Sequence, residues 1–170
     1  MGVSRSRRPQ LFAWLGTLVL GGMLLAGLFL PGGAVRSLRT AGAALVLGAL
    51  VLIVPPFAQL ARHGGAPRGA SYMETSRVAD RGLYAMVRHP QYLGYMLLAA
   101  GLALRVQRWP ATVAALVAVA LFVAHTLAEE RDCATRFGVE WQRYAAAVPR
   151  FNVALGLLRA RRRRHSARGA

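Results

Sequence analysis

Four long apolar stretches limit what this chain can fold into. They cover residues 11–30, 41–57, 91–104 and 111–128, and the first runs 20 residues without a charge. A helix rises about 1.5 Å per residue, so about 20 residues cross a hydrocarbon core of about 30 Å. In lipid the backbone must satisfy its own hydrogen bonds, which makes such segments helices. The third stretch is short and needs its flanking arginines or thinned bilayer, which sets that span at 91–107. Pro55-Pro56 is expected to break or kink the second near its end. Arg5, Arg7 and Arg8 precede the first stretch, which resembles a signal peptide. It is longer than a usual signal core and no small-x-small site follows before Pro31, so it reads as a retained span. The expectation is an all-α integral membrane bundle of about four transmembrane helices. The last two form a hairpin, a cytoplasmic helical segment follows, and residues 1–170 make one domain.

Composition bears on this only through an apparent conflict. Hydrophobic residues make up 55% of the chain, yet the net charge is +16. The two agree because apolar and charged residues are segregated along the sequence. All 22 basic residues are arginine, a pattern of GC-rich coding. Cys133 is the one cysteine, so no intrachain disulfide can form, and it reads as a small packing residue.

Arginine placement sets the orientation. With the N-terminus cytoplasmic, the inner segments carry 18 arginines and the outer connections four: Arg36, Arg39, Arg105 and Arg108. That is a positive-inside bias, with both termini cytoplasmic and a bacterial inner membrane as the setting. The six acids, Glu74, Asp80, Glu129, Glu130, Asp132 and Glu140, also fall on the inner side, in two segments. The tail from Arg159 to Arg164 is expected to hold anionic headgroups; no nucleic-acid partner and no metal are expected.

The short link 105–110 makes the third and fourth helices antiparallel neighbours. The start of one, 88–94, must therefore meet the end of the other, 128–136. Pro90 suits a first helical turn. The helix N-terminus with Arg88 and His89 makes an anion site, and Glu129 with Glu130 attracts a cation. A plainer reading makes them membrane anchors and surface partners. Gly94 and Gly101 share a face and allow close helix approach. His125 lies one turn before Glu129 and is either interfacial or functional. Gly138 marks a helix break, and Trp141 and Tyr144 suit the interface or a packed core.

The stretch Gly82-Leu-Tyr84-Ala-Met-Val-Arg88-His89-Pro90-Gln-Tyr92-Leu-Gly94 resembles a motif of isoprenylcysteine carboxyl methyltransferases and phospholipid methyltransferases. Glu129-Glu130, Phe137-Gly138, Trp141, Tyr144 and Val148-Pro149-Arg150 resemble the motif's second half, so the likeness covers residues 72–151. It implies S-adenosylmethionine as cofactor, with binding segments 72–94 and 125–151. Arg77, Val78 and Tyr84 would line its pocket; His89, Pro90, Gln91, Tyr92 and Gly94 would hold it at the helix start. Glu129 would take its polar groups. Arg88, His125 and Glu130 are the candidate catalytic residues, and the acceptor is lipid-like or prenylated. A phospholipid ethanolamine N-methyltransferase is the alternative. Cys133-x-x-Arg136-Phe137-Gly138-x-x-Trp141-x-x-Tyr144 is also similar to NADPH-dependent sterol reductases, and an inactive scaffold is a third reading. The chain departs from the prenylcysteine enzymes at His125, where they carry arginine, and at Ala147.

Overall fold

The computed structural model describes the backbone of residues 7–63 and 77–166, and the side chains of 10–59 and 77–162. Glu74, Arg62, Arg68 and the N-terminal arginines fall outside the described side chains, as do Arg163 and Arg164. Among the described residues, six helices follow one another: α1 (Arg7–Phe29), α2 (Arg36–His63), α3 (Pro90–Val106), α4 (Trp109–Phe137), α5 (Val139–Ala147) and α6 (Val153–Ser166). A 3₁₀ turn at Gly82–Ala85 precedes α3. Among the described residues there is no strand, so the chain is all-helical.

Among the described residues, three helices are long and apolar enough to cross a membrane: α1 over Gln10–Phe29, α2 over Arg36–Gln59, and α4. Only 17% of the span residues of α1 and of α2 are buried. Trp14, Leu18, Leu28 and Phe29 are more than 70% exposed. Water would not tolerate that apolar surface, and a bilayer requires it. The chain is therefore a membrane protein. At 17 residues, α3 rises about 26 Å, short of a full crossing.

Helix α2 does not stop at its proline pair. It continues through Pro55 and Pro56 to His63. The two prolines remove two backbone donors, yet Pro56 is fully buried and the helix runs on past them. Helix α4 likewise runs unbroken past the predicted span end and carries Glu129 and Glu130 on the same rod. It ends where Gly138 takes φ +51°, a left-handed conformation that glycine adopts cheaply.

The chain forms two compact units. The first comprises Met1–Val51 and Tyr92–Asp132, the second Leu52–Gln91 and Cys133–Ala170. In the first, Phe122 of α4 is nearly fully buried, and a Cβ at Gly16 of α1 would lie 3.0 Å from its ring. Gly42 of α2 and Gly101 of α3 meet backbone to backbone. A Cβ at Gly42 would sit 2.6 Å from the Gly101 carbonyl oxygen, so both positions need glycine.

At one end of this unit the α1–α2 connection is laced to the α3–α4 turn. Gly33 N–H donates to the Arg105 carbonyl at 2.9 Å. The Gln107 side chain bonds both backbone groups of Val35, accepting from its N–H at 3.0 Å and donating to its carbonyl at 2.9 Å. Gln107 adopts φ 52°, rare without a glycine, to aim its amide there.

The core of the second unit is Trp141, Tyr144 and Val148, with Val78, Cys133, Phe137, Ala145 and Ala147 against it. The three-residue spacing of Trp141 and Tyr144 thus serves packing rather than the interface, and Cys133 is a packing residue.

Candidate active site

In the second unit, the motif leading into α3 is tied to the segment after α5. Arg88 N–H donates to the Pro149 carbonyl at 3.0 Å, and its Nε donates to the Val148 carbonyl at 2.9 Å. Val148 is buried, so that carbonyl has little access to water, and a cationic donor suits it. Tyr144 Oη donates to the Tyr84 carbonyl at 2.8 Å. Burial pushes the Tyr144 phenol far above its usual range, and the neighbouring Tyr84 adds to the shift. It stays a protonated donor wherever the protein is folded. Gln59 accepts from Leu83 N–H at 2.8 Å, and Glu140 accepts from Val78 N–H at 3.4 Å. Val87 is fully buried, and His89 is 7% exposed with its ring 6.2 Å from that of Phe151.

The two halves of the motif are thus one hydrogen-bonded strap, with the turn, the α3 entrance and the Val148-Pro149 segment in a single register. Arg88, predicted as a catalytic cation, spends its Nε on this strap. Arg77 is exposed, Tyr84 is half-buried and Pro90 is buried. Gln91, the next residue, keeps a buried Nε2 with no hydrogen-bond partner. Leaving a buried amide donor unbonded costs about 1–3 kcal/mol.

In the first unit, the beginning of α3 meets the far half of α4, as the short turn demands. Tyr92 Oη lies 2.7 Å from His125 Nε2. Their rings meet edge to face with centroids 4.8 Å apart. The same nitrogen lies 3.7 Å from Glu129 Oε2, one turn further along α4. His125 is 7% exposed. Phe122 stacks on Tyr92 at 6.2 Å and 28°, and Tyr95 packs against Phe122 at 5.2 Å. The aromatic side chains hold Tyr92 and His125 in place from the membrane side. Thr126 Oγ1, beside them in sequence, is buried without a hydrogen-bond partner. Gly94 is buried in α3, and Glu130 is half-buried. The arrangement offers a phenol, an imidazole and a carboxylate in a row, able to hold or pass one proton and to attract a cation.

Sequence reasoning passed over Gln59, Phe122, Tyr95 and Phe151. Gln59 had a signal, a lone polar side chain late in an apolar helix. Phe122 had a weaker one, its place one turn before His125. Tyr95 and Phe151 had none.

No curated protein matches the chain, and no solved structure does. A family model, phospholipid methyltransferase, matches residues 38–140. That is more than half of the 170 residues and takes in both the Arg88-His89-Pro90 entrance to α3 and the His125–Glu130 stretch of α4. The chain belongs to the phospholipid methyltransferase family of membrane enzymes.

Proposed function

We propose that this protein transfers a methyl group from S-adenosylmethionine to a lipid-borne acceptor at the cytoplasmic face, as isoprenylcysteine carboxyl methyltransferases do. The whole chain acts as one catalytic domain. Its setting is a bacterial inner membrane with both termini inside, which the 18-to-four arginine distribution supports. Arg159, Arg161 and Arg162 of α6 rest on anionic headgroups.

The observation that carries the cofactor reading is the buried, unbonded Gln91 amide at the first turn of α3. An amino-acid carboxylate would satisfy it at the positive end of the helix dipole. His89, Pro90, Tyr92 and Gly94 shape the same turn, and Glu129 draws the cationic groups. Arg77, Val78 and Tyr84 line the approach, and Arg88 holds the strap that keeps it in register. When bound, the cofactor supplies a methyl group on a positively charged sulfur. The residues align the acceptor and exclude water.

The acceptor divides two readings. A carboxylate is already a nucleophile at neutral pH and needs no base. A phosphatidylethanolamine headgroup arrives as an ammonium and must first lose a proton. The Tyr92–His125 pair would give this second reading its base. Tyr92 can take the ammonium proton while passing its own to His125, and Glu129 and Glu130 stabilise the resulting imidazolium.

The test is calorimetric titration of S-adenosylmethionine into the purified protein, beside the His89→Ala, Glu129→Ala double variant. Micromolar binding lost in the variant supports the reading. Absence of binding at millimolar cofactor, in a sample shown to be folded, refutes it. Labelled methyl groups transferred to membrane lipid then identify the acceptor. Alkali releases a methyl ester as methanol and leaves an N-methyl group in place.

A further inference from the structure

The first unit contains a second feature that the methyl-transfer reading does not use. An apolar groove of about 320 Å³ lies between α1, α3 and α4. Met23, Leu102 and Val106 form its buried wall, and Gly22 leaves room on the α1 side. One charged residue, Arg108, lines it, next to Pro110 at the first turn of α4. Pro110 stands 15 residues before His125, about 22 Å along the helix. The groove therefore belongs to the opposite end of the unit from Tyr92 and His125.

What fits this groove follows from its surroundings. It opens on helices whose exposed faces are apolar, so its neighbours are acyl chains. Its rim is basic: Arg108 and Arg105 flank the laced turn, and Arg36 and Arg39 begin α2. Neither connection contains an acid to neutralise them. Trp109, 78% exposed, stands at the same level, where indoles favour the headgroup layer. The lacing between Gln107 and Val35 holds the basic rim at a fixed height above the groove.

We propose that this groove is a binding site for an anionic phospholipid of the leaflet at the α1–α2 connection, with one acyl chain against Met23, Leu102 and Val106 and its phosphate on Arg108. This lipid is not the methyl acceptor. It fills the space that Gly22 leaves between α1 and the α3–α4 hairpin.

Retention of added lipid by the delipidated full-length protein tests this without any activity measurement. The probes are phosphatidylglycerol and phosphatidylcholine with identical acyl chains, quantified by mass spectrometry after gel filtration. A Cβ at Gly22 meets nothing within 4 Å, so Gly22→Leu fills the groove without a clash. Gly21→Leu is the control, since it too meets nothing but does not line the groove. Wild type and Gly21→Leu should retain phosphatidylglycerol at least tenfold over phosphatidylcholine. Gly22→Leu should lose both lipids, and Arg108→Ala should lose the preference while keeping a chain. Equal retention of the two headgroups by wild type, or unchanged retention by Gly22→Leu, overturns the proposal.

Discussion

Replacing Tyr144 with phenylalanine deletes one oxygen and leaves the ring that packs on Trp141, 5.5 Å away. The loss is confined to the 2.8 Å bond to the Tyr84 carbonyl. A net hydrogen bond contributes about 1 kcal/mol, and an acceptor left without a partner raises the cost to about 1–3 kcal/mol. For a chain of this size each kcal/mol moves the midpoint by about 2–4 °C, so the variant should melt about 2–12 °C lower at neutral pH. The pH dependence is more specific. Burial raises the folded-state pKa of Tyr144 above the unfolded value of about 10. The folded state therefore holds a proton that the unfolded state releases. The stabilisation is complete below about pH 10 and is lost as pH rises above it, by up to about 1.4 kcal/mol per pH unit. Phenylalanine has no such proton. Thermal unfolding in one detergent from pH 7 to 11.5 should show a constant gap to about pH 10, then a narrowing that closes one to two units higher. A gap that stays constant to pH 11.5, or widens, would refute the claim that this phenol is a buried, obligatorily protonated donor.

Gly42→Val should destabilise by about 1–3 kcal/mol, because its Cβ would lie 2.6 Å from the Gly101 carbonyl oxygen and force the two helix backbones apart; thermal unfolding measures it. Gln107→Ala removes both side-chain bonds to Val35 at an exposed site and should cost about 1 kcal/mol; hydrogen exchange at the Val35 amide should quicken. Glu129→Gln keeps the size of the side chain and removes its charge. It should weaken S-adenosylmethionine binding about tenfold to a hundredfold by calorimetry, with little change in melting temperature.

Where a single residue's covalent geometry decides the local structure, the chain could be read directly. Pro90 opens α3 because its missing N–H has no partner in a first turn, and Gly138 ends α4 because it can take a positive φ. The hairpin followed from loop length alone, but the partner of Tyr92 did not: it meets His125, short of the 128–136 segment expected opposite 88–94. Of the break or kink expected at Pro55-Pro56 the break does not occur, because the proline penalty is local, whereas burial of Pro56 is a property of the packed unit. The strap was legible only as two motifs that co-occur. Its physical basis, Arg88 bridging to the Val148 and Pro149 carbonyls, joins residues 60 and 61 positions apart and leaves no periodic trace. The same holds for Gln107: nothing in its neighbours announces a left-handed backbone.

Helix α4 carries one more consequence. Its 29 residues rise about 43 Å, and a hydrocarbon core measures about 30 Å. If Trp109 sits at one headgroup layer and the helix is untilted, 20 residues of rise end at Ala128, and Glu129 would be the first residue clear of the far side. The helix is a ruler with the carboxylate at its upper mark and Phe122 and His125 just below the waterline. Bilayer thickness thereby becomes a variable of the chemistry. A membrane a turn thicker would submerge the carboxylate, and one a turn thinner would lift the imidazole toward water.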